Sequence, residues 1–287
     1  MLSFLVLMAF SIHAQDKIIP DNKGFFHIKV DDGLYVVSNM AWGGLAEKGT
    51  PTQNAQLLIG SEKALLIDTS TPKEGFADYV RSITDLPLMV VNSHGHLDHI
   101  GNNNQFDEIY IHPADTALLR AHFSNYGKPH FTVKLLNDGE VIDLGNRKVN
   151  VYNVPGHTRG SLVFLDQKTS ILITGDAIAR RLLYTFGDWT DLSVYFHALE
   201  RIGKLKFDAI LTNHDRFLMS PDLINRLKKA ISDNIETETK TWNLMGTDYI
   251  HIVPVDDQSN PDFIDIVILK DKLPEAIQDL KRNGYLK

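Results

Sequence analysis

The chain has 287 residues, no cysteine and a formal net charge of -7 at pH 7. The absence of cysteine excludes disulfides, thiolate metal ligands and lipid attachment through cysteine. The negative charge argues against a broad nucleic-acid-binding surface, which would be basic, so we expect no nucleic-acid partner. The length is ordinary for one α/β domain.

The chain begins with an apolar run at residues 1–10, which a short segment ending at Ala14 follows. This pattern is typical of a signal peptide over residues 1–14 and predicts a periplasmic or secreted protein whose mature chain begins at Gln15. The run lacks a preceding Lys or Arg, and Ile12 is bulky for its position before the cleavage site. A buried N-terminal strand or an uncleaved anchor is therefore the alternative. The run is shorter than the ~20 residues of an ordinary spanning helix, so we expect no stable membrane anchor.

Hydrophobic periodicity and turn residues predict short strands and helices along the rest of the chain. The predicted strands are 25–30, 33–37, 55–59, 64–68, 86–91, 209–212 and 263–269, with a strand-rich stretch over 141–175. The predicted helices are 73–83, 113–121, 192–205, a helix from Pro221 with Ser220 as its N-cap, and 274–282. This order is typical of an α/β fold in which two packed sheets carry helices on their outer faces, a four-layer alpha-beta-beta-alpha sandwich.

Four metal-ligand side chains follow the predicted strand 86–91 within six residues: His94, His96, Asp98 and His99. The intervening Gly95 permits the close turn that lets His94 and His96 converge on one ion. Asp98 and His99 point elsewhere in such a turn, which favours a second ion nearby over one crowded site. The alternative is a polar cluster at a helix start, with Asp98 as the N-cap.

Three further ligand candidates each follow a predicted strand end: His157, Asp176 and His214. Loops on a rigid sheet scaffold are the usual means of bringing together residues that are distant in sequence. Each candidate alone has an ordinary explanation, as a turn residue, a helix cap or an exposed histidine. Together with the first cluster, they complete two coordination shells from five histidines and two aspartates.

The order and spacing of these motifs resemble those of the metallo-beta-lactamase superfamily of di-metal hydrolases. The resemblance runs from about residue 34 to residue 214 and implies one hydrolase domain over residues 15–287. The implied ligands of one zinc ion are three histidines: His94, His96 and His157. The implied ligands of the other are an aspartate and two histidines: Asp98, His99 and His214. Asp176 would bridge both ions, and Asp68 resembles the outer carboxylate that orients a ligand loop.

The residue at position 176 separates branches of the superfamily. This chain has Asp176 where the cysteine-containing lactamase subclass has cysteine, and it therefore resembles the hydroxyacylglutathione hydrolase and lactonase branches. The implied reaction is attack of a metal-bound hydroxide on a polarised carbonyl. We therefore predict a di-zinc hydrolase of an ester, thioester, lactone or lactam. Asp98 is the candidate catalytic residue, as a proton acceptor or orienter for the water as well as a metal ligand. Iron or manganese is the alternative metal.

Substrate contacts are predicted on loops that follow or overhang the ligands. The segment 39–52 has glycine-rich turns around Trp42 and is typical of a mobile flap, in which Trp42 either covers an apolar substrate group or anchors the loop. The segment 122–130 mixes aromatic and basic residues, and a solvated loop is its favoured interpretation. Arg159 and Tyr184 follow ligand positions and are candidates for binding a substrate carboxylate or oxyanion, with a surface or packing role as the alternative.

Two other functions stay open at this point. A true beta-lactamase would use the same metal centre on a cyclic amide. A non-catalytic metal-binding protein would keep the fold and the ligands without turnover. Because a structural zinc site needs only four ligands and is closed, the larger ligand set favours catalysis on a small-molecule carbonyl substrate.

Overall fold

The computed structural model describes residues 20–39, 53–123, 129–185, 189–237, 240–244, 246–253 and 263–287. The predicted signal peptide at residues 1–14 lies outside these ranges, so its cleavage stays a prediction. Within these ranges, no helix combines the length and the apolar character needed to cross a membrane.

The described residues form strands and helices in the following order. The strands are β1 (Phe25–Asp31), β2 (Leu34–Asn39), β3 (Asn54–Ile59), β4 (Ala64–Ile67), β5 (Leu88–Val91), β6 (Glu108–Ile111), β7 (Thr132–Leu135), β8 (Val141–Asp143), β9 (Lys148–Asn153), β10 (Leu162–Asp166), β11 (Ile171–Ile173), β12 (Arg181–Tyr184), β13 (Ala209–Leu211), β14 (Thr241–Leu244), β15 (Thr247–Val253) and β16 (Asp265–Leu269). The α-helices are α1 (Phe76–Ile83), α2 (Leu97–Ile100), α3 (Thr116–Ala121), α4 (Leu192–Ile202), α5 (Leu223–Asn234) and α6 (Leu273–Arg282).

The strands form three sheets. The N-terminal sheet has the order β1-β2-β3-β4-β5-β6-β7, antiparallel from β1 to β4 and parallel from β4 to β7. The central sheet has the order β13-β11-β10-β9-β8, in which only β11 and β13 are parallel. The C-terminal sheet has the order β12-β16-β15-β14.

The N-terminal and central sheets pack face to face through one buried apolar cluster, which includes Leu65 and Ile67 of the former and Phe164 and Ile173 of the latter. The opposite face of the N-terminal sheet packs against α1. Helices α4, α5 and α6 share a third cluster with the other face of the central sheet and with the C-terminal sheet. The predicted four-layer sandwich is therefore confirmed, with a third sheet added to one outer layer.

Several element boundaries differ from the prediction. The helix predicted at 113–121 begins as a 3-10 turn at Pro113–Asp115 before α3. Helix α5 begins at Leu223, and the Ser220 hydroxyl oxygen accepts a hydrogen bond from the backbone N–H of Asp222. Five strands are absent from the prediction: β6, β7, β12, β14 and β15. Edge strands β7 and β14 are largely exposed, and so lack the apolar alternation on which the prediction relied.

Neighbouring parallel strands end side by side at one edge of each sheet. Strands β4 and β5 end together at Ile67 and Val91, and strands β11 and β13 end together at Ile173 and Leu211. The loops that follow the carboxyl ends of parallel strands begin close together, and this is where α/β proteins place ligands. These are the loops on which the sequence places Asp68 and most of the predicted metal ligands.

A polar seam joins the N-terminal and central sheets at this edge. The backbone N–H of Asn54 donates to the carbonyl of Asn213 (2.9 Å), and the Asn213 side-chain amide donates to the carbonyl of Asn54 (3.0 Å). The Asn54 side-chain amide donates to the Asp215 carbonyl (3.0 Å), and that of Gln56 to the Thr212 carbonyl (3.4 Å). The start of β3 is therefore bonded to the loop after β13.

A buried arginine joins the same two sheets at another place. Arg147 lies between β8 and β9 and donates from Nε and Nη2 to the Asp166 carboxylate (3.0 and 2.6 Å). Its Nη1 donates to the carbonyls of Asp32, Gly33 and Ile59 (3.1, 2.8 and 3.1 Å). Because both charged groups are fully buried, each depends on the other for compensation.

We expect the Arg147→Met substitution to destabilise the fold strongly. It leaves the Asp166 carboxylate buried without its cation, which typically costs about 3–5 kcal/mol. The measurement is the free energy of unfolding of the metal-free protein in urea, with unfolding monitored by circular dichroism. The control is Lys148→Met, which removes an exposed partner of Asp143 and should change stability by less than about 1 kcal/mol. Equal losses in the two variants would contradict the expectation.

Candidate metal centre

The first four candidate ligands lie between the end of β5 and the end of α2. Helix α2 has His96 as its N-cap residue and carries Asp98 and His99 in its single turn. Asp98 is therefore not the N-cap that the alternative interpretation required. His94, two residues earlier, is buried against the neighbouring histidine rings.

Three histidines form the first ligand group: His94, His96 and His157. The Nε2 atom of His157 lies 2.8 Å from Nδ1 of His96 and 3.2 Å from Nε2 of His94. The other ring nitrogen of His157 lies 2.7 Å from the Leu183 carbonyl oxygen, to which it donates. This bond directs Nε2 of His157 toward the other two histidines, so the three nitrogens converge on one point.

An aspartate and two histidines form the second ligand group: Asp98, His99 and His214. Oδ2 of Asp98 lies 3.6 Å from Nε2 of His99 and 3.5 Å from Nε2 of His214. His214 follows β13 of the central sheet, whereas Asp98 and His99 belong to the N-terminal sheet's loops. The second group is therefore assembled from both sheets.

Asp176 lies between the two groups. Its Oδ2 atom is 3.0 Å from Nε2 of His214, 3.5 Å from Nε2 of His99 and 3.6 Å from Nε2 of His157. One carboxylate oxygen therefore faces a nitrogen of the first group and two nitrogens of the second. This position is compatible with the bridging role that the resemblance implied for Asp176, which stays a prediction.

The donor set fits divalent cations. Among the described residues, Nε2 of His99 and Oδ1 of Asp176 are buried without a hydrogen-bond partner. A buried polar atom without a partner costs about 1–3 kcal/mol, and coordination to a cation would compensate that cost. All seven side chains offer nitrogen or oxygen, a set that suits zinc and also accepts iron or manganese.

The Asp68 carboxylate lies behind the ligands and connects them. It accepts hydrogen bonds from the backbone N–H and hydroxyl of Ser93 (both 2.6 Å), from Nδ1 of His99 (2.8 Å) and from the side-chain amide of Asn213 (2.5 Å). The bond from Nδ1 fixes the tautomer of His99 and leaves its Nε2 for the metal. The Ser93 hydroxyl also lies 3.0 Å from Nδ1 of His94. Sequence reasoning found Asp68 but missed Ser93 and Asn213, each of which directly precedes a ligand.

The two groups differ in their electrostatics. Burial lowers the pKa of His94 well below its usual value, and neighbouring histidines lower it further. Burial also opposes the charged form of His99, but the carboxylates of Asp176 and Asp98 outweigh it and raise the pKa of His99 well above its usual value. In the same way, Asp176 overcomes burial and raises the pKa of His214 to about 9. The second group therefore carries protons at neutral pH when no metal is bound.

The predicted substrate-contact residues have different outcomes. Trp42 lies outside the described residues, as do residues 40–52 of the flap and residues 124–128 of the second loop. Arg159 is exposed, with Nε and Nη2 donating to the Trp189 carbonyl (3.2 and 3.0 Å), so its substrate role stays a prediction. The structure corrects the prediction for Tyr184, which is fully buried and donates its hydroxyl proton to the Thr190 carbonyl (2.8 Å).

Sequence reasoning also missed three arginines on the chain close to ligands: Arg180, Arg181 and Arg216. Arg180 donates from Nε and Nη2 to one Asp215 oxygen (2.9 and 2.5 Å), and its guanidinium lies 4.3 Å from the centre of the Phe263 ring. Arg181 lies 4.9 Å from the same ring. Their positions in the sequence could have indicated them: Arg180 and Arg181 come four and five residues after Asp176, and Arg216 comes two residues after His214.

Comparison with known proteins identifies the class. Residues 49–214 match the family model described as the metallo-beta-lactamase superfamily. The match covers more than half of the chain and contains both ligand groups and Asp176. The chain therefore belongs to the metallo-beta-lactamase superfamily and is a hydrolase of that superfamily.

Curated proteins that resemble the chain include acyl-coenzyme A thioesterases. The chain is 29% identical over 214 residues to acyl-coenzyme A thioesterase MBLAC2 of Gallus gallus, a match that covers 63% of this chain and 76% of that protein. The Homo sapiens protein of the same name is 27% identical over 217 residues, with the same coverage.

Solved structures show the same fold. A metallo-beta-lactamase family protein from Thermus thermophilus matches with a TM-score of 0.56 at 20% identity, covering 72% of this chain and 82% of that chain. A metallo-beta-lactamase from Pontibacter korlensis matches with a TM-score of 0.55 at 20% identity, covering 71% of this chain and 96% of that chain. A likeness at this level of identity concerns the fold alone.

We expect the two ligand groups to respond differently to pH. His99 and His214 have raised pKa values, so each holds a proton at neutral pH that a metal ion must displace. The zinc affinity of the second group should rise with pH up to about 9, roughly tenfold per pH unit for each proton released. Burial lowers the pKa values of His94 and His157, which are therefore already neutral, and the affinity of the first group should change little above about pH 7.

Competition with a chromophoric zinc chelator at several pH values measures these affinities. The His96→Ala variant removes a ligand of the first group and so isolates the second, while His214→Ala isolates the first. A steep slope in the His96→Ala protein and a shallow one in the His214→Ala protein are expected. Equal slopes in the two variants would contradict the assignment.

Proposed function

We propose that the protein hydrolyses acyl thioesters of a phosphorylated thiol, with acyl-coenzyme A as the representative substrate, at a centre of two zinc ions. The observation that carries the proposal is the position of the Asp176 carboxylate between two complete ligand groups. A protein that only stored a metal ion would need one group. The thioesterase relatives support the thioester as the carbonyl class.

Different residues of the chain have different roles in the proposed reaction. His94, His96 and His157 would hold one ion, and Asp98, His99 and His214 the other. When bound, the ions supply Lewis acidity toward the carbonyl oxygen and lower the pKa of water to about 7. The Asp98 side chain is 26% exposed, against 12% for Asp176, so Asp98 is the carboxylate that faces incoming water and substrate. Asp98 is positioned to orient that water and to accept its proton.

The proposed reaction balances without another reactant. Oxygen of one water forms a bond to the thioester carbonyl carbon, and the carbon–sulfur bond breaks. The products are a carboxylic acid, which ionises at neutral pH, and a thiol whose sulfur receives the other proton of the water. A thiol with a pKa of about 8.5 is a better leaving group than an amine. The same centre should therefore hydrolyse a thioester faster than a lactam.

Three arginines close to ligands along the chain are the residues that we propose bind an anionic thiol as the leaving half of the substrate. Arg180 and Arg181 follow Asp176 along the chain, and Arg216 follows His214. Arginine binds phosphate oxygens through a planar set of donors. Nη1 of Arg216 is buried and has no hydrogen-bond partner in the described part of the chain. The guanidinium lies 5.7 Å from the centre of the Phe26 ring, and a phosphate would satisfy that donor once the side chain turned toward it.

We expect thioester hydrolysis to depend on Asp176. The wild-type protein loaded with zinc should release thiol from acyl-coenzyme A faster than it opens a lactone, an aryl ester or a chromogenic cephalosporin. Asp176→Ala should lower the rate at least about a thousandfold, since it removes metal-supplied stabilisation worth several kcal/mol. The control is Asp233→Asn, an exposed carboxylate on α5 whose loss should leave the rate unchanged.

The same panel separates the alternatives. Fastest turnover of the cephalosporin would support a true beta-lactamase. Tight binding of two zinc ions without turnover of any carbonyl substrate would support the non-catalytic metal-binding protein. Activity that survives complete removal of metal by a chelator would contradict the metal-dependent mechanism.

We expect Arg216→Gln to affect only phosphorylated substrates. A lost hydrogen bond to a charged group is worth about 1.5–3 kcal/mol, which corresponds to a rise in KM of roughly tenfold or more for acyl-coenzyme A. The KM for the uncharged S-acyl-N-acetylcysteamine thioester should not change. Arg282→Gln, on the exposed end of α6, is the matched control. An equal rise for both substrates in the Arg216 variant would contradict the phosphate contact.

The proposed location is periplasmic or secreted, and it rests on the apolar sequence of residues 1–14 alone. N-terminal sequencing of the protein from its native cells tests it, with Gln15 as the expected first residue. A chain that still begins at Met1 would contradict cleavage.

A further inference from the structure

The Asp115 carboxylate is buried beside the metal centre without belonging to either ligand group. Asp115 is the residue at the N-cap position of α3 and is 2% exposed. An aspartate at this position normally accepts hydrogen bonds from its own helix. Asp115 makes no such bond, so the helix does not account for its burial.

The carboxylate instead bonds to two ligand loops. Its Oδ2 accepts from the backbone N–H of Gly95 (3.0 Å) and from the hydroxyl of Thr158 (2.7 Å), and its Oδ1 accepts from the backbone N–H of Gly160 (2.7 Å). Gly95 lies between the ligands His94 and His96 in the sequence. Thr158 directly follows the ligand His157. The three bonds therefore hold the two loops that carry all three members of the first ligand group.

These contacts leave little free space. A Cβ atom on Gly160 would lie 2.5 Å from Oδ1 of Asp115, and one on Gly95 would lie 3.0 Å from the backbone nitrogen of Leu119 in α3. The Thr158 loop is closed further by Ser161, whose hydroxyl oxygen accepts from the Thr158 backbone N–H (3.1 Å). Both loops therefore pack directly on α3 and the residue before it, and the carboxylate is the group that bonds them there.

We propose that Asp115 is a positioning residue for the first ligand group, which sets the separation of the His94–His96 loop from the His157 loop and thereby the affinity of that group for zinc. Its bonds do not involve the loops of Asp176 or His214. The second group should therefore keep its affinity when Asp115 is changed. The inference rests on the metal centre of the proposed function, but not on the choice of substrate.

The test is zinc affinity measured separately for each group in the Asp115→Asn protein. Asparagine keeps the size of the side chain but replaces one acceptor oxygen with an amide that cannot accept. In the His214→Ala background, which isolates the first group, the affinity should fall by roughly 10- to 100-fold, as is usual when an outer partner of a metal site is lost. In the His96→Ala background, which isolates the second group, the affinity should stay within about twofold of its parent.

Asp279→Asn is the matched control. Asp279 is also a buried carboxylate, 3% exposed, and accepts from the backbone N–H and hydroxyl of Ser193 (2.7 and 2.9 Å), in the core beside α4 and α6. Its loss should lower the melting temperature without changing either zinc affinity. If the role of Asp115 were only structural, Asp115→Asn would likewise lower the melting temperature and leave both zinc affinities unchanged. Thr158→Val removes one of the three bonds and should lower the zinc affinity of the first group by less than Asp115→Asn does.

This variant replaces Asp115→Asn in the test if the Asp115→Asn protein does not fold.

The outcomes separate the two proposals. Unchanged affinity of the first group, or an equal loss in both groups, would overturn the role of Asp115 whatever the enzyme hydrolyses. Selective loss in the first group, with no thioester turnover by the wild-type protein, would support Asp115 and overturn the proposed substrate.

Discussion

The metal centre depends on one buried carboxylate, that of Asp68. A fully buried charge is costly unless hydrogen bonds surround it, and Asp68 obtains them from Ser93, His99 and Asn213. Burial nevertheless raises the pKa of Asp68 above its usual value, with His99 opposing the shift. Because its partners come from both sheets, the requirement to satisfy this charge also fixes the ligands that adjoin those partners.

The candidate ligands could be proposed from the sequence because four of them fall within six residues and three more each follow a predicted strand, a combination that no single ordinary cause explains. Asp115 could not, since an aspartate before a helix is ordinary as a cap and only the structure shows that its carboxylate bonds elsewhere. Tyr184 could not be judged from the sequence for the same reason. Its position after Asp176 suggested a substrate contact, but the structure shows that its side chain is buried in the core. Strand β15 could not be predicted because it pairs with β16, which lies beyond residue 264, and β14 could not because it is a largely exposed edge strand bonded to β15.

The two ligand groups are unequal in charge although they share Asp176. The first consists of three neutral imidazoles, and the second includes the Asp98 carboxylate. The ligands of the second group would therefore neutralise more of a cation's charge than the three histidines of the first group would. Exposure differs as well: Asp98 and His214 of the second group have exposed side-chain fractions of 26% and 16%, whereas all three histidines of the first group are buried. His99 is the buried member of the second group.

The polar seam between β3 and the loop after β13 has a consequence for redesign. The bonds between Asn54 and Asn213, and from Gln56 to Thr212, would all break if one sheet slid along the other. Because Asn213 directly precedes His214, this seam ties the position of His214 to the start of β3 in the N-terminal sheet. A redesign of the loops around the metal centre should therefore keep these four residues, because their loss would release the loop that carries His214 from the N-terminal sheet.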